Sequence, residues 1–245
     1  MTETKPLFFI SLGCAKNLVD SEHMLGILKR EGYEPVTEIE KARYVVINTC
    51  GFLQEAVQEA IDAILEAARF KKSGMLKQLV VAGCFVQRYG YKLRNEMPEV
   101  DGWLGTGEIH RIADVIKGSD ESPAPMLISR PVFAADHCLP RIQSTPFYTA
   151  YLRIAEGCAN KCAYCLIPKL RGPFRSRTID ALLAEASEMA AHGVKEINLI
   201  AQDTSRYGED IYGKSRIMDL LAGLSRIEGI RWIRLLYFHP TRLTE

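Results

Sequence analysis

The chain reads as α/β, a parallel sheet covered by helices and followed by a second βα domain, on three observations. Short apolar runs alternate with amphipathic stretches, glycines close those stretches, and one proline-rich interval divides the alternation in two. Continuous apolar runs separated by helices suit strands buried on both faces, and that burial is the condition of a parallel sheet.

Taken in order, Leu7-Phe8-Phe9-Ile10 predicts the first strand and residues 21–30 the first helix. Tyr44-Val45-Val46-Ile47 with 54–70, and Leu79-Val80-Val81-Ala82 with 86–96, predict two more βα units, and 102–116 a fourth. Gly32 and Gly74 stand where a left-handed residue would stop the first two helices. Asp20-Ser21-Glu22 reads as helix-start chemistry. From 117 to 146 the texture changes to Gly118-Ser119-Asp120-Glu121-Ser122-Pro123-Ala124-Pro125, then Pro131, Pro140 and Pro146, which breaks helical and central-strand patterns alike. Residues 1–117 are therefore read as one domain, 118–146 as a linker and 147–245 as a second domain. In the second, 149–154, 196–200 and 230–238 predict strands, and 178–192 and 217–227 predict helices. An ending just past a strand leaves a sheet edge unpaired, which predicts a truncated domain.

The 245 residues are 47% hydrophobic and 25% charged with a net charge of +1, as in a soluble globular protein able to bury a core. No apolar run reaches the roughly 18 residues that span a bilayer, and residues 1–6 lack the build of a secretion signal, so no membrane is expected and the cytoplasm is. The near-neutral charge argues against a dedicated nucleic-acid binder, and no DNA partner is expected. Seven cysteines, odd in number and unevenly placed, suit thiols in a reducing compartment better than disulfides.

Cys158, Cys162 and Cys165 lie in Gly157-Cys158-Ala159-Asn160-Lys161-Cys162-Ala163-Tyr164-Cys165. Three soft ligands sit close together there with no fourth, whereas a structural zinc closes its shell with four. An iron–sulfur cluster with one open iron fits that count, and the open position can bind a small molecule. A zinc site with a distant ligand, a chance cluster or a disulfide are the other readings. Cys14, Cys50 and Cys84 each fall at or just beyond the carboxyl end of a predicted strand, and in a parallel sheet those ends share one edge, about 5 Å apart from strand to strand. Three loops can thus bring three thiols together. Gly13, Gly51 and Gly83 beside them would let backbone approach a bulky ligand, although any single cysteine could equally be core filler. Cys138 reads as incidental. The five histidines are scattered without paired spacing, and His23 and His192 read as helix-surface residues.

The loop Cys158-x-x-x-Cys162-x-Tyr164-Cys165 resembles the signature of radical S-adenosylmethionine enzymes, and the strand-end cysteines ahead of it resemble the methylthiotransferases of that superfamily. Ser11-Leu12-Gly13-Cys14-Ala15-Lys16-Asn17-Leu18-Val19-Asp20-Ser21-Glu22, and the segments 153–158 and 171–177, resemble the branch that modifies a ribosomal protein; the tRNA-modifying branch has Gln-Met-Asn where Ala15-Lys16-Asn17 stand. The resemblance implies a flavodoxin- or Rossmann-like amino-terminal domain before part of a radical S-adenosylmethionine TIM barrel. It implies two [4Fe-4S] clusters, the radical one on Cys158, Cys162 and Cys165 and the auxiliary one on Cys14, Cys50 and Cys84, together with S-adenosyl-L-methionine. The implied reaction adds a methylthio group to the β-carbon of an aspartate in the twelfth small-subunit ribosomal protein, near the decoding centre, with an electron donor such as flavodoxin or ferredoxin. The same chemistry on a tRNA adenosine, or a metal-binding interaction module without turnover, are the alternatives. Tyr164 is expected at the adenine end. The Gly-Gly-Glu segment common in radical enzymes is replaced by Ala201-Gln202-Asp203-Thr204, which makes Gln202 a candidate for the methionine amine, with a helix-capping loop as the other reading. Lys169, Arg171, Arg175 and Arg177 could bind a carboxylate or phosphate or form a solvated loop, with Arg177 expected nearest the cofactor.

Overall fold

The computed structural model of the chain describes residues 4–118, 124–132 and 139–242. Two compact units result, one from residues up to Pro131 together with Leu139–Ile142, the other from Gln143 onward. Cys138, read as incidental, and residues 119–123 and 133–138 of the proline-rich interval lie outside the described residues.

The first unit runs β1 (Lys5–Ser11), α1 (Ala15–Arg30), β2 (Tyr33–Pro35), β3 (Tyr44–Thr49), α2 (Gln54–Lys72), β4 (Gln78–Gly83), α3 (Cys84–Tyr89), α4 (Lys92–Glu96), β5 (Gly102–Leu104), α5 (Ile112–Lys117) and β6 (Met126–Leu127). Its six strands are all parallel in the order β2-β1-β3-β4-β5-β6. The apolar runs form the central strands because both faces are covered: β4 is buried at every residue. α2 buries Val57, Ala60, Ile64 and Ala67, the stripe a 3.6-residue period lays on one face. At Gly32 and Gly74, φ of 83° and 81° ends the helices as expected.

The structure differs from the sequence-based expectation in several places, each for a physical reason. The helix predicted over 21–30 begins at Ala15, so Asp20, Ser21 and Glu22 are interior residues, 2%, 1% and 0% exposed. The periodicity misses that first turn and a half because the buried face there is polar: Lys16, Asn17, Asp20, Ser21, Glu22 and His23 are all buried. His23, expected on the surface, is 4% exposed, with Nδ1 3.3 Å from the Pro140 carbonyl. The helix expected over 86–96 is broken at Gly90, φ 61°, into α3 and α4. Met126 and Leu127, inside the proline-rich interval, add the edge strand, and the carbonyl of the preceding Pro125 accepts from the Trp103 amide, so a proline that cannot donate is tolerated there.

Leu139–Ile142 form a strap on α1. The Ile142 amide donates to the Glu22 carbonyl, and Arg141 donates through Nε (2.8 Å) and a terminal nitrogen (2.5 Å) to Oε2 of the fully buried Glu22 carboxylate. A Cβ on Gly26 would meet the Pro140 carbonyl carbon and oxygen at 2.5 Å, so helix and strap are in backbone contact. Arg141→Ala strips a buried carboxylate of its guanidinium and is expected to destabilise the first unit by about 3 kcal/mol. Urea unfolding followed through the buried Trp103 checks it, and an unmoved midpoint would show that the strap contributes nothing.

The second unit runs β7 (Thr149–Arg153), β8 (Ala155–Glu156), α6 (Ile167–Leu170), β9 (Arg175–Ser176), α7 (Ile179–Ala191), β10 (Glu196–Ile200), α8 (Glu209–Tyr212), α9 (Ile217–Leu224) and β11 (Trp232–Leu235). β11, β10 and β7 form a parallel sheet in that order, and β8 pairs with β9 antiparallel. Thr178 caps α7 by accepting from the Ala181 amide, and Leu182, Ala186 and Met189 turn inward. Tyr207 is fully buried and donates from its hydroxyl to the Arg177 carbonyl, and burial pushes its ionisation well above the usual tyrosine range. Among the described residues no helix is long and apolar enough to cross a membrane.

Candidate metal centres

In the first unit, strand register brings the three cysteines to one edge. Ser11 pairs with Asn48, Asn48 with Ala82, and Thr49 with Gly83, so the chain leaves β1, β3 and β4 at neighbouring points. Cys14 is the residue before α1, Cys50 follows β3, and Cys84 opens α3. All three are free thiols, respectively exposed, half-buried and buried. The glycines beside them serve a different purpose from the one expected. A Cβ on Gly13 would lie 2.8 Å from the Cys50 Cβ, one on Gly51 2.8 Å from the Cys84 carbonyl, and one on Gly83 2.5 Å from the Thr49 carbonyl. The space a side chain would need is filled by the next cysteine loop, so the glycines press the loops together rather than open room for a ligand.

Polar side chains hold these loops from beneath. The Asn17 amide donates to the Leu12 and Thr49 carbonyls at 2.9 and 3.0 Å, and Asn48 Nδ2 donates to the Asn17 carbonyl at 2.8 Å and to Ser21 Oγ at 2.9 Å. None of these roles was visible in the sequence. The one available signal was polar residues at helical spacing after Cys14, which point inward only once the strands beneath them are in place.

In the second unit, Cys158, Cys162 and Cys165 lie on the loop after β8, all free and half-buried to exposed. The Asn160 amide approaches Cys158 Sγ at 3.4 Å and the Ile167 amide Cys165 Sγ at 3.5 Å, donors that favour thiolate sulfur. Burial raises the Cys158 thiol above its ordinary value; the Asn160 amide works against this, and Asp203, Cys165 and Cys162 add to it. Asn160 Nδ2 donates to Asp203 at 3.0 Å, which ties the cysteine loop to the loop after β10. Gly157, φ 76°, lies so close to the 172–173 backbone that a Cβ would fall 2.1 Å from the Pro173 carbonyl oxygen.

Just before the cysteines stands a buried ionic group that sequence reasoning missed. Glu156, 8% exposed, has Arg153 at 2.9 Å and Arg171 at 3.7 Å, accepts from Gln202 Nε2 at 2.6 Å and takes the Gly157 amide at 3.3 Å. Arg171 is therefore buried and paired, not part of a solvated loop. Arg175 is half-buried, bonded to the Pro173 and Arg171 carbonyls, and burial lowers its ionisation; Lys169 is exposed. Arg177 is 9% exposed, ion-paired with Glu185 at 2.6 Å and bonded to the Arg153 carbonyl at 3.0 Å. Gln202 is not the cap of the following turn: Asp203 is, through the Ser205 amide. Gln202 Oε1 is buried without a hydrogen-bond partner among the described residues, and Tyr164 is 85% exposed. Among the described residues no three His, Cys, Asp or Glu side chains are already gathered about one point. The fold brings each set of thiols onto adjoining backbone without drawing the sulfurs together.

The donor sets match an iron–sulfur group in kind: free thiols in threes, amide donors on two sulfurs, and no competing disulfide among the described residues. Two family models match the chain, the uncharacterized protein family UPF0004 over residues 6–105 and the radical SAM superfamily over 152–237. The chain is 48% identical over 247 residues to the ribosomal protein uS12 methylthiotransferase RimO of Pelobacter propionicus, covering 100% of this chain and 54% of that protein. It is 49% identical over 236 residues to the same-named protein of Pelotomaculum thermopropionicum, covering 96% and 53%. The chain thus spans about half the length of the curated relatives it matches. Among solved structures it resembles the radical S-adenosylmethionine methyltransferase TsrM of Kitasatospora setae, with a TM-score of 0.59 and 11% identity over 90% of this chain and 50% of that one. It also resembles the cobalamin-dependent S-adenosylmethionine radical enzyme OxsB, with a TM-score of 0.56 and 13% identity over 94% and 38%. At such identities these likenesses concern the fold.

Proposed function

Because the chain belongs to the radical S-adenosylmethionine superfamily and, within it, to the methylthiotransferases, we propose that the protein attaches a methylthio group to the β-carbon of an aspartate in ribosomal protein uS12. The observation that carries this reading is two separate sets of three free thiols in one chain, each on loops in its own unit. Cys158, Cys162 and Cys165 would hold one [4Fe-4S] cluster with a position left for S-adenosyl-L-methionine, and Cys14, Cys50 and Cys84 a second that presents sulfur. Bound there, the cluster and S-adenosylmethionine supply one-electron chemistry able to remove hydrogen from an unactivated carbon.

The chain's own residues do the positioning. The Asn160 and Ile167 amides offset thiolate charge, and Asp203 holds the loop through Asn160. Glu156 engages Gln202 Nε2 and so leaves the buried Oε1 as the unused acceptor, which suits an ammonium such as the methionine amine. The exposed Tyr164 ring offers a face for adenine. Arg177, held by Glu185, supports the loop edge through the Arg153 carbonyl. A reductant of the flavodoxin or ferredoxin kind would supply the electron, and the substrate would be met near the decoding centre in the cytoplasm. The tRNA reading has less support, since the Pelobacter and Pelotomaculum relatives both carry the uS12 name.

Anaerobic reconstitution tests the assignment. About eight irons per chain are expected, about four after Cys158→Ala and about four after Cys14→Ala. Tight zinc without iron would remove the radical reading. The appearance of a methylthio mass on uS12, with tRNA unmodified, tests the substrate.

A further inference from the structure

We propose that Asn17 is the positioning residue of the first thiol set, its single carboxamide keeping the three cysteine loops in register so that they can close on a cluster. This inference rests on the reading that Cys14, Cys50 and Cys84 hold iron. Asn17 is 1% exposed and stands one helical turn after Cys14. Its Nδ2 donates to the Leu12 carbonyl, two residues before Cys14, and to the Thr49 carbonyl, the residue before Cys50. Its Oδ1 faces Cys84 Sγ at 3.8 Å. Carbonyl oxygens only accept, so the amide nitrogen must face Leu12 and Thr49, and the orientation toward Cys84 follows from chemistry.

One side chain therefore touches all three cysteine segments, which leave three different strands. The helix that carries it is itself tied down: Asn48 Nδ2 donates to the Asn17 carbonyl and to Ser21 Oγ, and Ser21 Oγ donates to the Asn17 carbonyl at 3.0 Å. The same carboxamide also abuts the crossing of the Cys14 and Cys50 loops, since a Cβ on Gly13 would lie 3.6 Å from its Nδ2 and 3.4 Å from Cys50 Sγ. If only packing were needed, an apolar residue would fill the site at lower desolvation cost. The two donors fix the Cys14 and Cys50 loops whether or not metal is bound, and Oδ1 accepts from the Cys84 thiol only until that thiol loses its proton to bind iron, so the residue sets the register of the loops before they close.

The test uses the full chain with Cys158, Cys162 and Cys165 all changed to Ala, so that bound iron reports the first set alone. After anaerobic reconstitution with ferrous iron and sulfide, the parent is expected to hold about four irons. Asn17→Ala and the near-isosteric Asn17→Asp, which keeps the shape and loses the donors, are expected to release iron to a ferrous chelator about ten-fold faster or more. Both should also show an altered electron paramagnetic resonance signal of the reduced cluster. Equal iron content, release rate and spectrum in both variants would overturn the inference. So would loss of the metal-free fold in both, read by circular dichroism, since Asn17 would then be a core residue of the sheet edge. A parent that binds no iron would instead overturn the metal reading on which the inference rests.

Discussion

Replacing Glu156 with glutamine is expected to lower the stability of the second unit by about 3 kcal/mol, within the range for leaving a buried charge uncompensated. The carboxylate is the negative member of a buried group that contains Arg153 and Arg171, 5% and 3% exposed, and both guanidiniums would keep their charge. Glutamine keeps the shape, so the loss would be electrostatic. In urea this amounts to a midpoint shift of about 1 M or more for the second unit. The transition of Trp103, buried in the first unit, should stay in place. The change should also loosen Gln202, which donates to Glu156 at 2.6 Å, and so weaken S-adenosylmethionine binding beyond what the stability loss explains. An unchanged second-unit midpoint would refute the account of Glu156 as the charge that holds this edge together.

The second large effect is expected from Gly157→Ala. A left-handed backbone at φ 76° costs a residue with a Cβ about 1–3 kcal/mol, and here the added methyl would meet the Pro173 carbonyl oxygen at 2.1 Å and that of Gly172 at 2.5 Å. Both obstacles are backbone, so the cysteine loop itself has to move. The Cys158 amide would then leave the Gly172 carbonyl, to which it donates at 3.2 Å. Iron at Cys158, Cys162 and Cys165 should fall by half or more, while the first thiol set keeps its complement of about four. Iron counting in a Cys14→Ala background separates the two, and full occupancy of the second set there would show that the loop tolerates the displacement.

Much of the site was legible without a structure because its chemistry is local or repeated. The spacing of Cys158, Cys162 and Cys165 fits inside one loop, and Cys14, Cys50 and Cys84 recur at the same point of a βα unit. The supporting residues were not legible. Asn17 lay outside the helix predicted over 21–30 and had no visible role, and Arg171 was open between binding an anion and a solvated loop. Asp20 to Glu22 looked like a helix start because periodicity locates a helix by its apolar face, and the first turns of α1 bury polar groups instead.

The division follows the range of the forces involved. The main strand and helix types, the stops at Gly32 and Gly74, and the close spacing of Cys158, Cys162 and Cys165 were legible in the sequence alone, since each rests on neighbours a few residues apart, whereas Cys14, Cys50 and Cys84 were legible through their place in a repeated βα unit. What only the tertiary structure decided is how the buried polar groups are matched: Asn17 with Thr49 and Cys84, 32 and 67 residues away, and Glu22 with Arg141, 119 residues away. A buried donor or charge must find a partner, but the chain offers many, and only packing brings one within hydrogen-bond distance.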